Sequence, residues 1–110
     1  MTLYWHGGNC VSIQNKEAEL VIDPQDLEKE LKLAKPAEVF LLASPELRRS
    51  GLTSDSKSVK IPAKSSSFII NMPGEYDTKG FFVMGLGEIV GGVIYIVESE
   101  GIRVCHLPDI

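Results

Sequence analysis

The chain has 110 residues, 44% apolar and 24% charged, with a formal net charge of −4 at pH 7. That length suits a single domain over residues 1–110, and the apolar share excludes a disordered chain. The acidic balance excludes general polyanion binding, which needs Lys and Arg in excess on one face. No apolar run reaches the length of a membrane span, and Met1 leads straight into strand-like residues without a charged n-region or cleavage site. A cytoplasmic protein with no membrane partner is therefore expected.

Leu3 to Trp5 and Cys10 to Ile13 are short strand-like pieces around His6-Gly7-Gly8-Asn9, which predicts an N-terminal hairpin. Glu19 to Asp23 predicts a third strand. Asp23-Pro24 then offers an N-cap carboxylate followed by proline at the first helical position. Leu27, Leu31 and Ala34 fall on one face of the helix that starts there, and Pro36 ends it. Val39 to Ala43 is an uninterrupted apolar run, expected to form a central strand covered on both faces. Ser44-Pro45-Glu46 restarts the chain as one short helical turn through Arg49. Thr53 to Ser67 is mostly Ser and Lys and reads as a surface loop, with Val59 and Ile61 as a brief edge strand.

Phe68 to Gly85 holds two apolar runs joined by Pro73-Gly74 and a polar segment. It reads as paired strands reversed by a type II turn, with Pro fixing the first central φ and Gly supplying the positive second one. Leu86 to Gly92 reads as a glycine-rich loop. Val93 to Glu98 and Ile102 to Leu107 form a closing hairpin across Ser99-Glu100-Gly101. These elements predict an α+β fold: one mixed, mainly antiparallel sheet of about seven strands with one main helix. Several strands are apolar on both parities, so both faces of such a sheet want cover. A single helix covers part of one face, and the remainder predicts self-association as a homodimer.

His6, Cys10, Cys105, His106 and Asp109 are residue types that bind zinc. Cys105 and His106, however, are adjacent on a predicted strand and point to opposite faces. The two cysteines are better placed as reduced thiols in the core. Glu75, Asp77 and Glu88 could do acid–base work, but solvent-facing strand positions carry such residues for solubility. Arg48, Arg49, Lys57, Lys60 and Lys64 could meet phosphate. They lack aromatic neighbours for stacking, so nucleic-acid binding is not expected. The residues by themselves name no catalytic group, no cofactor and no small-molecule ligand.

The order of Trp5-His6-Gly7-Gly8-Asn9-Cys10, Leu20-Val21-Ile22-Asp23-Pro24, Ala37-Glu38-Val39-Phe40-Leu41-Leu42, Pro73-Gly74-Glu75-Tyr76 and Cys105-His106-Leu107-Pro108-Asp109 resembles the N-terminal half of a metallo-β-lactamase-fold protein. The most similar branch is the small bacterial Zn-dependent hydrolases akin to ascorbate-6-phosphate lactonase. The resemblance implies half of an α/β sandwich whose second half is related to the first by an approximate two-fold. It also implies a hydrolase with zinc bound by a His-x-His-x-Asp-His segment after the central strand.

Here that segment reads Ser44-Pro45-Glu46-Leu47-Arg48-Arg49, and the histidine of the family's first motif corresponds to Gly8. The further ligand histidine has no counterpart between Gly85 and Gly92. Only Asp109 matches a metal-binding position of the family. The expectation is therefore a zinc-free, non-catalytic relative that acts as a structural or binding protein, with the homodimer completing the sandwich. The alternative is a metal-dependent hydrolase with a remodelled or partner-completed site, for which Asp109, His106 and Glu46 are the remaining metal candidates.

Overall fold

A computed structural model describes residues 1–24, 37–49 and 63–108, with the backbone alone for 63–67. It contains nine strands and one short helix among the described residues: β1 Thr2–Trp5, β2 Val11–Gln14, β3 Glu19–Ile22, β4 Ala37–Leu41, α1 Pro45–Arg49, β5 Ala63–Ile70, β6 Gly74–Thr78, β7 Phe81–Ile89, β8 Gly92–Ser99 and β9 Ile102–His106. The strands form two sheets, one in the order β1-β2-β3-β4-β5 and one in the order β6-β7-β8-β9. The first is antiparallel from β1 to β3 and parallel from β3 to β5, and the second is a plain antiparallel meander.

The expected single sheet of about seven strands is thus two sheets, and they face each other. Ile13, Leu20, Ile22, Val39, Leu41 and Ile70 of the first pack in one cluster with Phe81, Val83, Val93, Tyr95 and Val97 of the second. The apolar face that seemed to need a second copy is covered by the chain's own second sheet. The opposite face of the first sheet holds its own buried cluster, with Cys10, Val21 and Phe40. This two-sided burial explains why β3 and β4 are apolar at successive positions. On the second sheet, Phe82 is exposed and Met84, Ile94 and Ile96 are half-buried on the outer face.

The N-terminal hairpin, the central strand and the short helix lie where the sequence predicts them. The predicted helix after Pro24 falls on residues outside the described ones, as does the edge strand at Val59 and Ile61. Asp23, read as its N-cap, has φ +53° and its carboxylate bonds the segment after β4, as described below; the amides it would cap lie outside the described residues. Residues 63–67, read as loop, begin β5. Pro73-Gly74 does not join paired strands, because β5 and β6 belong to different sheets and the Pro-Gly pair is the crossing between them. The hairpin lies further on, at Lys79-Gly80. Leu86 to Ile89, read as loop, continues β7 past an irregularity between Gly85 and Glu88. Cys105, assigned to the core, is exposed, whereas Cys10 is buried; neither forms a disulfide.

All three hairpins of the second sheet use two-residue loops with positive φ at both positions: Lys79-Gly80, Val90-Gly91 and Glu100-Gly101. That is the type I′ pattern, whose twist matches paired strands. Glycine meets it freely at the second position. At the first, Val90 is β-branched, sits at φ +50° and is 82% exposed.

The sandwich is pinned at both ends by buried polar groups. At one end the Tyr95 hydroxyl donates to the carbonyls of Leu42 at 3.1 Å and Ile70 at 3.3 Å, just beyond or at the ends of β4 and β5. Burial, first among the causes, pushes its pKa up, which keeps the hydroxyl protonated and donating. At the other end Asn15 accepts from the amides of Glu17 and Ala18 and donates to the Lys79 carbonyl and the Ser99 hydroxyl. That ties the β2–β3 turn to two turns of the second sheet.

Tyr95→Phe should lower unfolding free energy by about 1 kcal/mol, because the hydroxyl is a buried donor shared between the Leu42 carbonyl and an Ile70 carbonyl that also accepts from the Leu42 amide. The urea midpoint measures it, and an unchanged midpoint would contradict the role given to this hydroxyl. Val90→Asn should raise stability by about 1 kcal/mol by placing the favoured Asn-Gly pair in a type I′ turn. A lower melting temperature would show that Val90 is not strained.

Candidate functional site

Ligand sites in sheets with parallel strands form beyond the strands' C-terminal ends. Here those ends are Ile22, Leu41 and Ile70, and the segments that leave them are bonded tightly to one another. The Asp23 amide donates to the Leu41 carbonyl at 2.9 Å, and the Leu42 amide to that of Ile70 at 2.9 Å. The Asp23 carboxylate, fully buried, accepts from the amides of Ala43 at 2.7 Å and Ser44 at 3.0 Å through Oδ1, and from the Ser44 hydroxyl at 2.5 Å through Oδ2. The Val93 amide donates to the Ala43 carbonyl at 2.9 Å. Gly92 is pressed in beside it: a Cβ there would stand 2.7 Å from Pro108 and 3.1 Å from the Ala43 carbonyl.

Above this floor the short helix α1 presents Arg48. Its Nε donates to both the backbone carbonyl and Oδ1 of Asn71, at 3.1 and 3.2 Å. Its Nη1 donates to the Gly91 carbonyl and its Nη2 to Glu88, each at 2.6 Å. Asn71 returns a bond to the Arg48 carbonyl. One guanidinium therefore ties the end of β5, the β7–β8 turn and α1 together in the fork geometry that Arg offers and Lys does not.

The sequence candidates do not converge on this place. Glu46 is exposed on α1. His106 is buried near the end of β9, where Nε2 must be the protonated nitrogen because its partner, 2.8 Å away, is the Asn9 carbonyl. Its buried Nδ1 has no hydrogen-bond partner among the described residues. Asp109 lies outside the described residues. Cys105 and His106 do point to opposite faces, paired with Ile96 and Tyr95 respectively. Glu75 and Asp77 are exposed on β6, while Glu88 is the partner of Arg48. Lys57 and Lys60 lie outside the described residues, as does the side chain of Lys64. Sequence reasoning missed Asp23 as the hub of the floor. The signal was an Asp directly after an apolar strand and a Ser directly after the next one.

His6 accepts or donates a 2.7 Å bond to Ser12, which is fully buried on β2 and so out of reach of a substrate. The pair is a structural contact, and burial lowers the pKa of His6.

The family resemblance of the sequence implies zinc binding by His and Asp side chains at this end of the fold. Among the described residues no three His, Cys, Asp or Glu side chains lie together to hold an ion. The described groups do not fit a divalent cation: a permanently cationic guanidinium is seated here, and the Asp23 carboxylate is spent on the floor.

The family model for a β-lactamase superfamily domain matches residues 2–110. The chain belongs to the β-lactamase superfamily. Among solved structures, this superfamily member is similar to a Thermotoga maritima protein of the metallo-β-lactamase superfamily named for a proposed Zn-dependent hydrolase activity. The identity is 24% and the TM-score 0.67, over 98% of this chain and 48% of that one. The likeness establishes the metallo-β-lactamase fold, and the chain spans about half the length of that relative. Comparison with curated proteins gives no significant match. No helix among the described residues is long and apolar enough to cross a membrane.

Because the folded state resists protonating His6, the unfolded chain binds more protons as pH falls below about 6.5, the ordinary histidine value. Stability should therefore be lost as pH falls through that window, and His6→Gln should flatten this part of the profile. Melting temperatures between pH 7.5 and 5 check it, and an unchanged slope in the variant would exclude His6 as the source.

Proposed function

We propose that this chain is a zinc-free, non-catalytic member of its superfamily, acting as a structural or binding protein that self-associates as a homodimer. The observation that carries the reading is Arg48. It comes from the segment where the family resemblance implies zinc ligands, and its guanidinium is bonded to Asn71, Glu88 and Gly91. A catalytic zinc needs about three protein ligands and an open fourth position, whereas Arg48 contributes fixed positive charge and closes the loops on themselves. Asp23 supports the same reading, since its oxygens hold the turn at Ala43 and Ser44.

A second reading, a metal-dependent hydrolase with a remodelled or partner-completed site, draws on one observation. His106 is held by the Asn9 carbonyl and carries a buried nitrogen lone pair, which is how a ligand imidazole is oriented. Glu46 and Asp109 would be its companions.

Elemental analysis of protein purified without chelator separates the two. The expected result is no stoichiometric zinc, manganese or iron, and a melting temperature that neither EDTA nor added zinc moves. An ion held at a hundred times its dissociation constant would add about 2.7 kcal/mol of stability. One equivalent of metal together with phosphodiesterase or lactonase turnover would overturn the proposal.

A further inference from the structure

Among the described residues, no strand closes the inter-sheet layer along one side. The first sheet ends at β1 and the second at β9, and the two edge strands lie on the same side of the sandwich. The Asn9 side chain donates to the Leu107 carbonyl at 3.2 Å, His106 bonds the Asn9 carbonyl, and the amino group of Met1 pairs with Glu100 at 3.3 Å. Register fixes which side chains face inward. Leu3 pairs with Ile13 and Trp5 with Val11, both on the core side, and Ile102 pairs with the buried Ser99. Despite their core-facing register, Leu3 is 48%, Trp5 72% and Ile102 49% exposed. The core layer runs out to the surface here. Tyr4 and Leu107, on the outward parity, are exposed beside it.

Natural edge strands are protected by charge, proline or bulges. β1, Thr-Leu-Tyr-Trp, has no charge and no proline and pairs along its whole length with β2, and among the described residues no strand pairs with its outer edge.

We propose that this open seam is the interface of an isologous dimer, in which β1 of one protomer pairs antiparallel with β1 of a second copy about a two-fold axis. The inference rests on the self-association in the functional reading and assigns the surface. A second copy fits better than a lone peptide strand. A peptide added to β1 would leave the β9 edge and Ile102 uncovered, whereas a two-fold mate presents both edges and the same apolar set at once. The exposed parts of these five side chains amount to on the order of 500 Å² per protomer, given 150–250 Å² for an aromatic residue. A standard interface takes about 800 Å² per partner, and the polar rim and two strand edges supply the difference.

Trp5 is the chain's only tryptophan, so the wild-type protein reports on the seam directly. Sedimentation equilibrium across a wide dilution series should give a mass twice 12.1 kDa at the concentrated end. Trp5 emission should shift to the blue, and acrylamide quenching should fall, in step with the dimer fraction. Trp5→Lys and Ile102→Lys should each weaken dimerisation at least about tenfold. Phe82→Lys, on the outer face of the second sheet, should leave it unchanged. A monomer throughout overturns both the seam and the self-association. A dimer whose Trp5 emission does not respond to dilution, or one broken by Phe82→Lys alone, overturns the seam and leaves self-association standing. Metal content bears on neither outcome, so failure of the zinc-free reading is seen separately.

Discussion

Strands that end together leave carbonyls pointing past the sheet, and buried carbonyls must be satisfied. In this sandwich the amides of Asp23 and Leu42 meet part of that requirement, and a phenol from the opposite sheet meets more of it. Tyr95 stands on β8 with its ring in the shared core and its hydroxyl under the ends of two parallel strands. Gly85, its partner across the ladder, leaves little room for a side chain: a Cβ there would stand 3.2 Å from the ring and 3.0 Å from the Pro73 backbone, so both would have to give by a few tenths of an ångström. The crossing at Pro73-Gly74, the missing Cβ at Gly85 and the ring of Tyr95 form one packing unit. The floor of Asp23, Ala43 and Ser44 and the clasp of Arg48 are built outward from it.

That construction bears on the chemistry of this end of the fold. A carboxylate just after a buried strand and an imidazole at the end of another are the materials of a metal site. Here the carboxylate accepts three hydrogen bonds from the turn it faces, and the nearby α1 contributes an arginine bonded to Asn71, Gly91 and Glu88. Each group is used to hold backbone, which suits a surface that keeps its shape over a pocket that changes ligands. The proposed binding role draws on this use of polar groups.

Parts of the fold were legible because local chemistry leaves one answer. Val39 to Leu42, apolar at every position, reads as a covered strand, and Ser44-Pro45-Glu46 reads as the start of a short helix. The division into two sheets was not legible. Phe81-Phe82-Val83-Met84 is apolar on both parities, so its alternation does not say whether it faces a sheet, a helix or another molecule. Pro73-Gly74 looks the same in sequence whether it reverses a strand within a sheet or carries the chain between sheets, because only long-range pairing tells the two apart. Cys105 was misplaced for the same reason: its face is set by the pairing of Ile96 with it and of Tyr95 with His106. At the candidate site, the departure of Ser44 to Arg49 from the pattern that the family resemblance implies was legible one position at a time. The use of Asp23 and Arg48 was not, since their partners are 20 to 43 residues away.

The three two-residue turns also set an order of assembly. In the β6–β9 meander every pairing is between neighbours in sequence, so closing each hairpin costs little chain entropy and takes microseconds. The β3–β4 and β4–β5 pairings are parallel and must wait for longer connections to close. The meander is thus the element that can form on its own schedule, presenting Phe81, Val83 and Tyr95 as a surface on which the slower sheet condenses. A chain arrested at that stage would expose the whole inner face of the meander. The turns that let the second sheet close locally therefore leave the parallel β3–β4–β5 part of the first sheet as the portion with the longer loops to close.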